Sequence, residues 1–266
     1  MRKSDLKKGI YLLPNLCTTG NLFCGFYSVV KSLNGEFYQA AWAILFASIF
    51  DFLDGQVARM TRSQSNFGLE YDSLVDSASF GFAPAVLIYT WSLHSFPRVG
   101  WLVSFLFFAC GVLRLARFNV QAVSVEKKDF QGLPIPSAAS FLVGWILFYD
   151  NFLIATFDEK WITLMMTVTA AFLMVSTLCY KSLKGMVFRE RHPFYALVAV
   201  VGILLLILLE PNLFVFTGAA LYVLTGPAFY FYQKSKGKNV GATLRGRPEQ
   251  GSHTGLPLQI VSHHKD

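Results

Sequence analysis

The chain has 266 residues, of which 54% are hydrophobic and 16% aromatic, and its formal net charge at pH 7 is +7. Soluble domains contain about 45–50% apolar residues, whereas this chain repeats apolar runs of roughly 20 residues, the length that crosses the hydrocarbon core of a bilayer. The composition excludes a soluble globular enzyme and predicts an integral membrane protein. Basic residues that flank membrane spans account for the positive charge, so no nucleic-acid partner is expected.

The apolar runs predict an all-α fold, a polytopic integral membrane bundle of about eight transmembrane helices. The runs are continuous rather than alternating, which favours helices over the strands of a barrel. In chain order the predicted spans are 12–33, 37–58, 69–93, 99–119, 134–155, 161–180, 194–210 and 212–232. Only the residues EPN separate the last two spans, which predicts a tight helical hairpin.

The N-terminal sequence MRKSDLKKGIYLLPNL has the basic start of a signal peptide. However, Pro14, Asn15 and Asn21 interrupt its apolar region and no small-residue cleavage site follows, so we expect a retained first span. After residue 232 the chain becomes polar and glycine-rich, which predicts a disordered cytoplasmic tail over 233–266. The predicted organisation is one membrane domain over 1–232 followed by this tail.

The distribution of basic residues predicts the orientation of the bundle. With eight spans both termini lie on one side, and that side holds 20 of the 23 lysines and arginines, all except Lys31, Arg98 and Lys160. Because basic residues accumulate on the cytoplasmic side, both termini and the loop between the second and third spans are predicted to be cytoplasmic. The chain lacks an organelle-targeting pattern, which favours a prokaryotic plasma (inner) membrane.

Four aspartates flank this loop, within the stretch DFLDGQVARMTRSQSNFGLEYDSLVDS. Asp51 and Asp54 are spaced i, i+3, and Asp72 and Asp76 are spaced i, i+4, so each pair shares one helix face. Two antiparallel helices joined by a short loop bring these faces together at the cytoplasmic side. Solvated helix ends would explain any one of the aspartates, but four at helical spacing on adjacent segments predict a functional site.

The predicted cluster of carboxylates needs compensation of its charge. Four carboxylates at low dielectric repel one another strongly, so they must be protonated, paired with basic side chains or bound to metal. Hard oxygen ligands suit Mg²⁺, Mn²⁺ or Ca²⁺. The small residues Gly55, Ala58 and Gly68 leave room for the close approach of a backbone or a ligand.

The pattern D-x-x-D-G-x-x-A-R, eight residues, then G-x-x-x-D-x-x-x-D resembles the signature of the CDP-alcohol phosphatidyltransferase family. Every fixed position is matched: Asp51, Asp54, Gly55, Ala58, Arg59, Gly68, Asp72 and Asp76. The resemblance implies two divalent metal ions, Mg²⁺ or Mn²⁺, held by the four aspartates, with Asp76 also acting as the general base. It implies transfer of a phosphatidyl group from a CDP-linked lipid to an alcohol, with release of CMP.

The same resemblance implies that five residues contact the CDP moiety: Asn15 and Thr18 in the stretch PNLCTTGNL, and Gly55, Arg59 and Ser65. A glycine permits close backbone approach, and a guanidinium can chelate phosphate. Each has an alternative interpretation. Arg59 is also suited to anchoring a span at the membrane surface, Asn15 and Thr18 to capping a helix, and Ser65 to an ordinary loop.

Three further stretches, LPNLCTTGNLFCGFYS, CGVLRLARFN and FQGLPIPSAAS, resemble the membrane-embedded phosphatidylserine synthase branch. The implied substrates are CDP-diacylglycerol and L-serine. Arg114 or Arg117 then pairs with the serine carboxylate, and Asn119 holds the ammonium group or orients an arginine; span-end anchoring is the alternative. The resemblance covers about 10–180 as the core of the domain, leaves 194–232 as two additional spans, and implies a homodimer among membrane lipids.

Two other functions stay open at the level of sequence. A sibling phosphatidyltransferase that uses glycerol phosphate or an inositol substrate would share the aspartates and would also need arginines. A divalent-cation transporter would also use an acidic cluster, although it would be expected to place charges near the midplane and to contain two similar halves.

Overall fold

The computed structural model describes residues 3–61, 65–122, 130–152, 158–180 and 210–235. Within these ranges the chain is predominantly helical, as predicted. The helices are α1 (Lys3–Leu33), α2 (Phe37–Thr61), α3 (Asn66–Asp76), α4 (Ala83–Trp91), α5 (Val99–Ala122), α6 (Ile135–Phe152), α7 (Glu159–Val175) and α8 (Pro211–Ser235). A π-helical segment, Ser77–Phe82, joins α3 to α4, and a 3₁₀ turn, Leu93–Ser95, follows α4. Strands β1 (Phe130–Gln131) and β2 (Cys179–Tyr180) form a short antiparallel pair.

Four helical segments in the described part of the chain are long and apolar enough to cross a membrane: Phe37–Thr61, Asn66–Trp91, Val99–Val120 and Pro211–Tyr230. Each coincides with a predicted span, which confirms the membrane character of the chain. Helices α1, α6 and α7 occupy three further predicted spans. Nearly all of the predicted span at 194–210 and most of the predicted tail lie outside the described residues, so the count of eight stays a prediction.

The structure corrects the end of the predicted span at 161–180. Helix α7 ends at Val175, and the chain then forms β2, which pairs with β1 instead of continuing the helix. The backbone N–H of Gly132, directly after β1, donates to the carbonyl of Leu178 at 2.9 Å. Leu178 and Tyr180 are apolar, and an apolar run alone does not distinguish a short strand from the last turn of a helix.

Gly132 is required by this turn. Its φ is 80°, and a Cβ atom at this position would collide with the carbonyl oxygen of Met174. A non-glycine residue in this region of backbone space costs about 1–3 kcal/mol, so we expect Gly132→Ala to lower the midpoint of thermal unfolding in detergent. Gly218→Ala is the control, because a Cβ there meets nothing within 4 Å and alanine favours a helix. Equal midpoints for the two variants would contradict this account of the turn.

Helices α1 and α2 form an antiparallel hairpin that carries one side of the acidic cluster. Small and aliphatic residues line the buried side of α2: Ala40, Ala41, Ala43, Ile44 and Ala47. Such residues let two helices approach closely. Lys31 and Glu36 form an ion pair of 2.7 Å beside the turn of the hairpin. With a rise of 1.5 Å per residue, Asp51 lies about 20 Å along α2 from this turn, near the opposite end.

The π-helical segment packs against α1 at Gly25. A Cβ atom on Gly25 would lie 2.8 Å from the Cα of Ser79, so only glycine permits this approach. The hydroxyl of Ser79 donates to the backbone carbonyl of Asn21 at 3.1 Å. π-helical turns are rare and frequently occur at functional sites, and this one begins directly after Asp76.

Helix α8, from the last predicted hairpin, is part of the packed bundle. It contacts α6 through the stacked rings of Phe148 and Phe216, whose centroids are 5.0 Å apart. The side chain of Tyr180 is fully buried, and its hydroxyl donates to the Val223 carbonyl of α8 at 3.1 Å. The pair of short strands therefore ties α8 to the end of α7.

Candidate active site

Three of the four predicted metal ligands converge on one point. Asp51 on α2 and Asp72 and Asp76 on α3 each place a carboxylate oxygen within 4.8 Å of the other two. The i, i+4 spacing puts Asp72 and Asp76 on one face of α3, and α2 supplies Asp51 from the other side of the short connection. We call these three residues the acidic triad.

Asp54, the fourth predicted ligand, is buried beside the acidic triad. Its Oδ2 accepts a hydrogen bond from the Thr18 hydroxyl at 2.8 Å, and the residue is 5% exposed. The negative charge of Asp54 acts on both Asp72 and Asp76. Four carboxylates therefore share a small volume, although Asp54 is held by α1.

The acidic triad fits a divalent metal ion. Among the described residues, Oδ1 of Asp72 is buried without a hydrogen-bond partner, so no donor compensates this oxygen. Leaving a buried charge uncompensated costs on the order of several kcal/mol. Carboxylate oxygens are the ligands that Mg²⁺ and Mn²⁺ prefer. The triad, with Asp54 beside it, is the set of residues suited to hold such an ion.

A cleft of about 220 Å³ opens between α1, α2 and α3. It is lined by all five residues that the sequence predicted for the CDP moiety: Asn15, Thr18, Gly55, Arg59 and Ser65. Asp54 and Asp72 form part of its wall. The cleft is therefore continuous with the acidic triad through Asp72.

Ser65 also shapes the start of α3, a role that the sequence did not reveal. It is the N-cap residue, and its Oγ accepts a hydrogen bond from the backbone N–H of Gly68 at 3.0 Å. Such a cap stabilises a helix by about 1 kcal/mol. A change at Ser65 therefore alters the first turn of α3 as well as the cleft.

The two arginines predicted to bind serine have different environments. Arg114 is buried in α5, its charge interacts with Asp76, and its Nε has no hydrogen-bond partner among the described residues. The guanidinium of Arg117 instead donates to three carbonyl groups at the end of α7, at 3.0 to 3.3 Å: those of Met174, Val175 and Ser176. Arg114 is thus the arginine whose charge interacts with the acidic triad, and Arg117 caps α7.

Asn119, the third residue predicted to bind serine, joins α5 to α3. Its Nδ2 donates to the hydroxyl of Ser73 at 3.0 Å, and Ser73 follows Asp72 directly in α3. The side chain of Asn119 is therefore hydrogen-bonded to α3, at the residue that follows Asp72.

Two residues near the site were not predicted. The Nδ2 of Asn21 donates to Oδ1 of Asp76 at 3.4 Å, and Tyr222 of α8 interacts with the charge of Arg114. The sequence contains one indication of a role for Asn21: it follows Thr18 by three residues, so the two side chains share a helix face. No local pattern connects Tyr222 with Arg114, since the two residues are far apart in the sequence.

The model of the CDP-alcohol phosphatidyltransferase family matches residues 11–178. The chain belongs to this family. CDP-alcohol phosphatidyltransferases generally depend on divalent metal ions, in agreement with the chemistry of the triad. The match includes every residue of the aspartate pattern and all three predicted serine contacts, whereas α8 lies beyond it.

Curated relatives within the family are similar over the same region. The CDP-diacylglycerol–serine O-phosphatidyltransferase of Helicobacter pylori is 37% identical over 175 residues, covering 66% of this chain and 74% of the relative. The enzyme of that name from Bacillus subtilis is 34% identical over 143 residues, covering 54% and 80%. The archaetidylserine synthase of Methanothermobacter thermautotrophicus is 37% identical over 176 residues, covering 65% and 71%.

Proposed function

We propose that the protein transfers the phosphatidyl group of CDP-diacylglycerol to the hydroxyl of L-serine, giving phosphatidylserine and CMP. One observation carries this proposal: the acidic triad is continuous with a cleft lined by every residue expected to contact CDP. The names of the Helicobacter and Bacillus relatives support both substrates. The family match favours a transferase over the cation transporter that the acidic cluster alone would allow.

The residues of the cleft are suited to the nucleotide and its phosphates. Arg59 supplies a guanidinium that can chelate a phosphate group. Gly55 lies one turn earlier in α2, and a Cβ there would lie 3.9 Å from that guanidinium, so the missing side chain leaves room for the pyrophosphate. Asn15 and Thr18 add an amide and a hydroxyl from α1 for polar contacts to the cytidine or its phosphates.

The acidic triad and Asp54 perform the chemistry. The four aspartates would hold divalent metal ions, Mg²⁺ or Mn²⁺ and two in number, whose positive charge would neutralise the pyrophosphate and the departing CMP. Asp76 accepts the proton of the serine hydroxyl. The serine oxygen forms a bond to the lipid-side phosphorus, and the bond from this phosphorus to the bridging oxygen breaks. CMP leaves with that electron pair.

Arg114 is the residue that we assign to the serine carboxylate. Its guanidinium is buried and its charge interacts with that of Asp76, which supports a carboxylate contact for a serine whose hydroxyl meets Asp76. Arginine binds carboxylates through two parallel N–H groups, which fixes orientation as well as charge. To Asn119, whose amide donates to Ser73, we assign the serine ammonium group or the orientation of an arginine.

The membrane arrangement forms part of the proposal. We assign eight spans within a domain over 1–232, with the active site and both termini on the cytoplasmic side of a prokaryotic plasma membrane. The excess of basic residues on one side supports this orientation. The turn between α1 and α2, with its Lys31–Glu36 ion pair, then lies on the outer side. A homodimer among membrane lipids completes the proposal, on family resemblance alone.

The test is release of CMP from CDP-diacylglycerol by the purified protein in detergent. We expect release only when L-serine and Mn²⁺ or Mg²⁺ are both present, with phosphatidylserine as the lipid product. A chelator should stop the reaction, and renewed metal should restore it.

The same assay separates the alternatives. Release driven by glycerol phosphate or by an inositol substrate, and not by serine, would keep the mechanism and overturn the choice of acceptor. No release with any alcohol, together with flux of divalent ions into liposomes that contain the protein, would overturn the transferase function.

A further inference from the structure

Asp76 has a hydrogen-bond partner outside the aspartate pattern. Asn21 on α1 is completely buried, and its Nδ2 donates to Oδ1 of Asp76 at 3.4 Å. Among the described residues, its own Oδ1 is buried without a partner. An unsatisfied buried polar atom destabilises the folded state. An asparagine at this position therefore does little for the stability of the fold, and an apolar residue would be better suited to this apolar helix.

The π-helical segment fixes both residues of this hydrogen bond. Ser79 donates from its hydroxyl to the backbone carbonyl of Asn21 at 3.1 Å. Gly25, one turn further along α1, lets the backbone of α1 touch that of Ser79. Asp76 immediately precedes the same segment. The contact between α1 and the π-helical segment thus sets the position of Asn21 relative to Asp76.

We propose that Asn21 is a positioning residue for Asp76. Its amide N–H holds one carboxylate oxygen and thereby orients the other toward the metal site and the serine hydroxyl. Because Asn21 is fully buried, it acts through Asp76 and touches no substrate. Hydrogen-bond partners of metal-binding carboxylates typically change metal affinity or activity by about 10–100-fold. The catalytic part of this inference rests on the proposed function, and the metal-binding part does not.

The first test is Mn²⁺ binding to the full-length protein in detergent, measured from the EPR signal of free Mn²⁺ during a titration. We expect Asn21→Ala to weaken binding by about 10-fold. Asn21→Gln, which keeps the amide donor, should recover part of the loss. Wild-type affinity in folded Asn21→Ala would overturn the proposal, even if its thermal stability were lower.

Ser28→Ala is the matched control. Ser28 is fully buried on α1, two turns after Asn21 on the same face, and its hydroxyl has no partner among the described residues. The same polar-to-alanine change there should leave Mn²⁺ affinity unchanged. If Asn21→Ala does not fold, Ser79→Ala decides, because it releases the Asn21 backbone. It should weaken Mn²⁺ binding in the same direction, and unchanged binding would overturn the proposal.

The second test is the kinetics of CMP release. Asn21→Ala should lower kcat by about 10–100-fold and leave KM for CDP-diacylglycerol nearly unchanged, since the cleft is intact. A change confined to KM would contradict a positioning role. If the wild-type protein releases no CMP with serine, the proposed function is wrong, and the Mn²⁺ titration still decides the role of Asn21.

Discussion

Asp76→Asn is expected to lower the rate of CMP release by about 10²–10⁴-fold, the range that a positioned general base contributes. The amide has the size of the carboxyl group and fits the same space at the end of α3. It cannot accept the proton of the serine hydroxyl, and it is a poorer ligand for a cation. The measurement is the initial rate in detergent with saturating L-serine, CDP-diacylglycerol and Mn²⁺.

An excess of Mn²⁺ distinguishes loss of the general base from loss of a metal ligand, and a second variant controls for the chemical change itself. A defect in metal binding is overcome by a large excess of Mn²⁺, whereas the loss of a proton acceptor is not. Glu70→Gln makes the same chemical change on the exposed surface of α3 and should retain the wild-type rate. Full recovery of Asp76→Asn in excess Mn²⁺ would show that Asp76 is a ligand only.

The convergence of the aspartates was predictable because it depends on local periodicity. The i, i+3 and i, i+4 spacings place the carboxylates on single faces of α2 and α3. The short connection keeps the adjoining ends of these helices near each other, and both helices pack against α1. The predicted position of Asn15, Thr18 and Arg59 in one cleft follows from the same hairpins. What the spacing did not predict is the hydrogen bond from Thr18 that holds Asp54 beside the triad.

The features missed from the sequence depend on contacts between distant segments. The stretch after Asp76 has ordinary helical hydropathy, and nothing local indicates a π-helical segment. Its geometry depends on the close packing of Gly25 against Ser79. The predicted span at 161–180 extends beyond the end of α7 for a similar reason. The pairing of β2 with β1 replaces the last helical turn by a strand of equal hydropathy. Hydropathy indicates whether a segment is buried, and it does not distinguish a buried strand from a buried helical turn.

Arg114 and Arg117 show how equal residues on one helix acquire different roles. Their i, i+3 spacing places both on one side of α5, so the spacing alone does not favour either arginine for serine. In the structure the guanidinium of Arg117 is satisfied by carbonyls of α7. The charge of Arg114 interacts with that of Asp76, and its Nε has no hydrogen-bond partner within the described part of the chain. Arg114 is therefore the arginine of the pair whose guanidinium is not engaged by the end of α7.

Arg114→Leu is expected to reduce discrimination between L-serine and ethanolamine by about 100-fold, because truncating one partner of a buried charge pair costs roughly 2–5 kcal/mol. Ethanolamine has the same hydroxyl and ammonium groups but no carboxylate, so the ratio of the two kcat/KM values isolates the carboxylate contact. Arg117→Leu should leave this ratio unchanged and instead lower the midpoint of thermal unfolding, since three hydrogen bonds to the end of α7 are lost. The reverse pattern would assign the serine carboxylate to Arg117 and would require α7 to release it on binding.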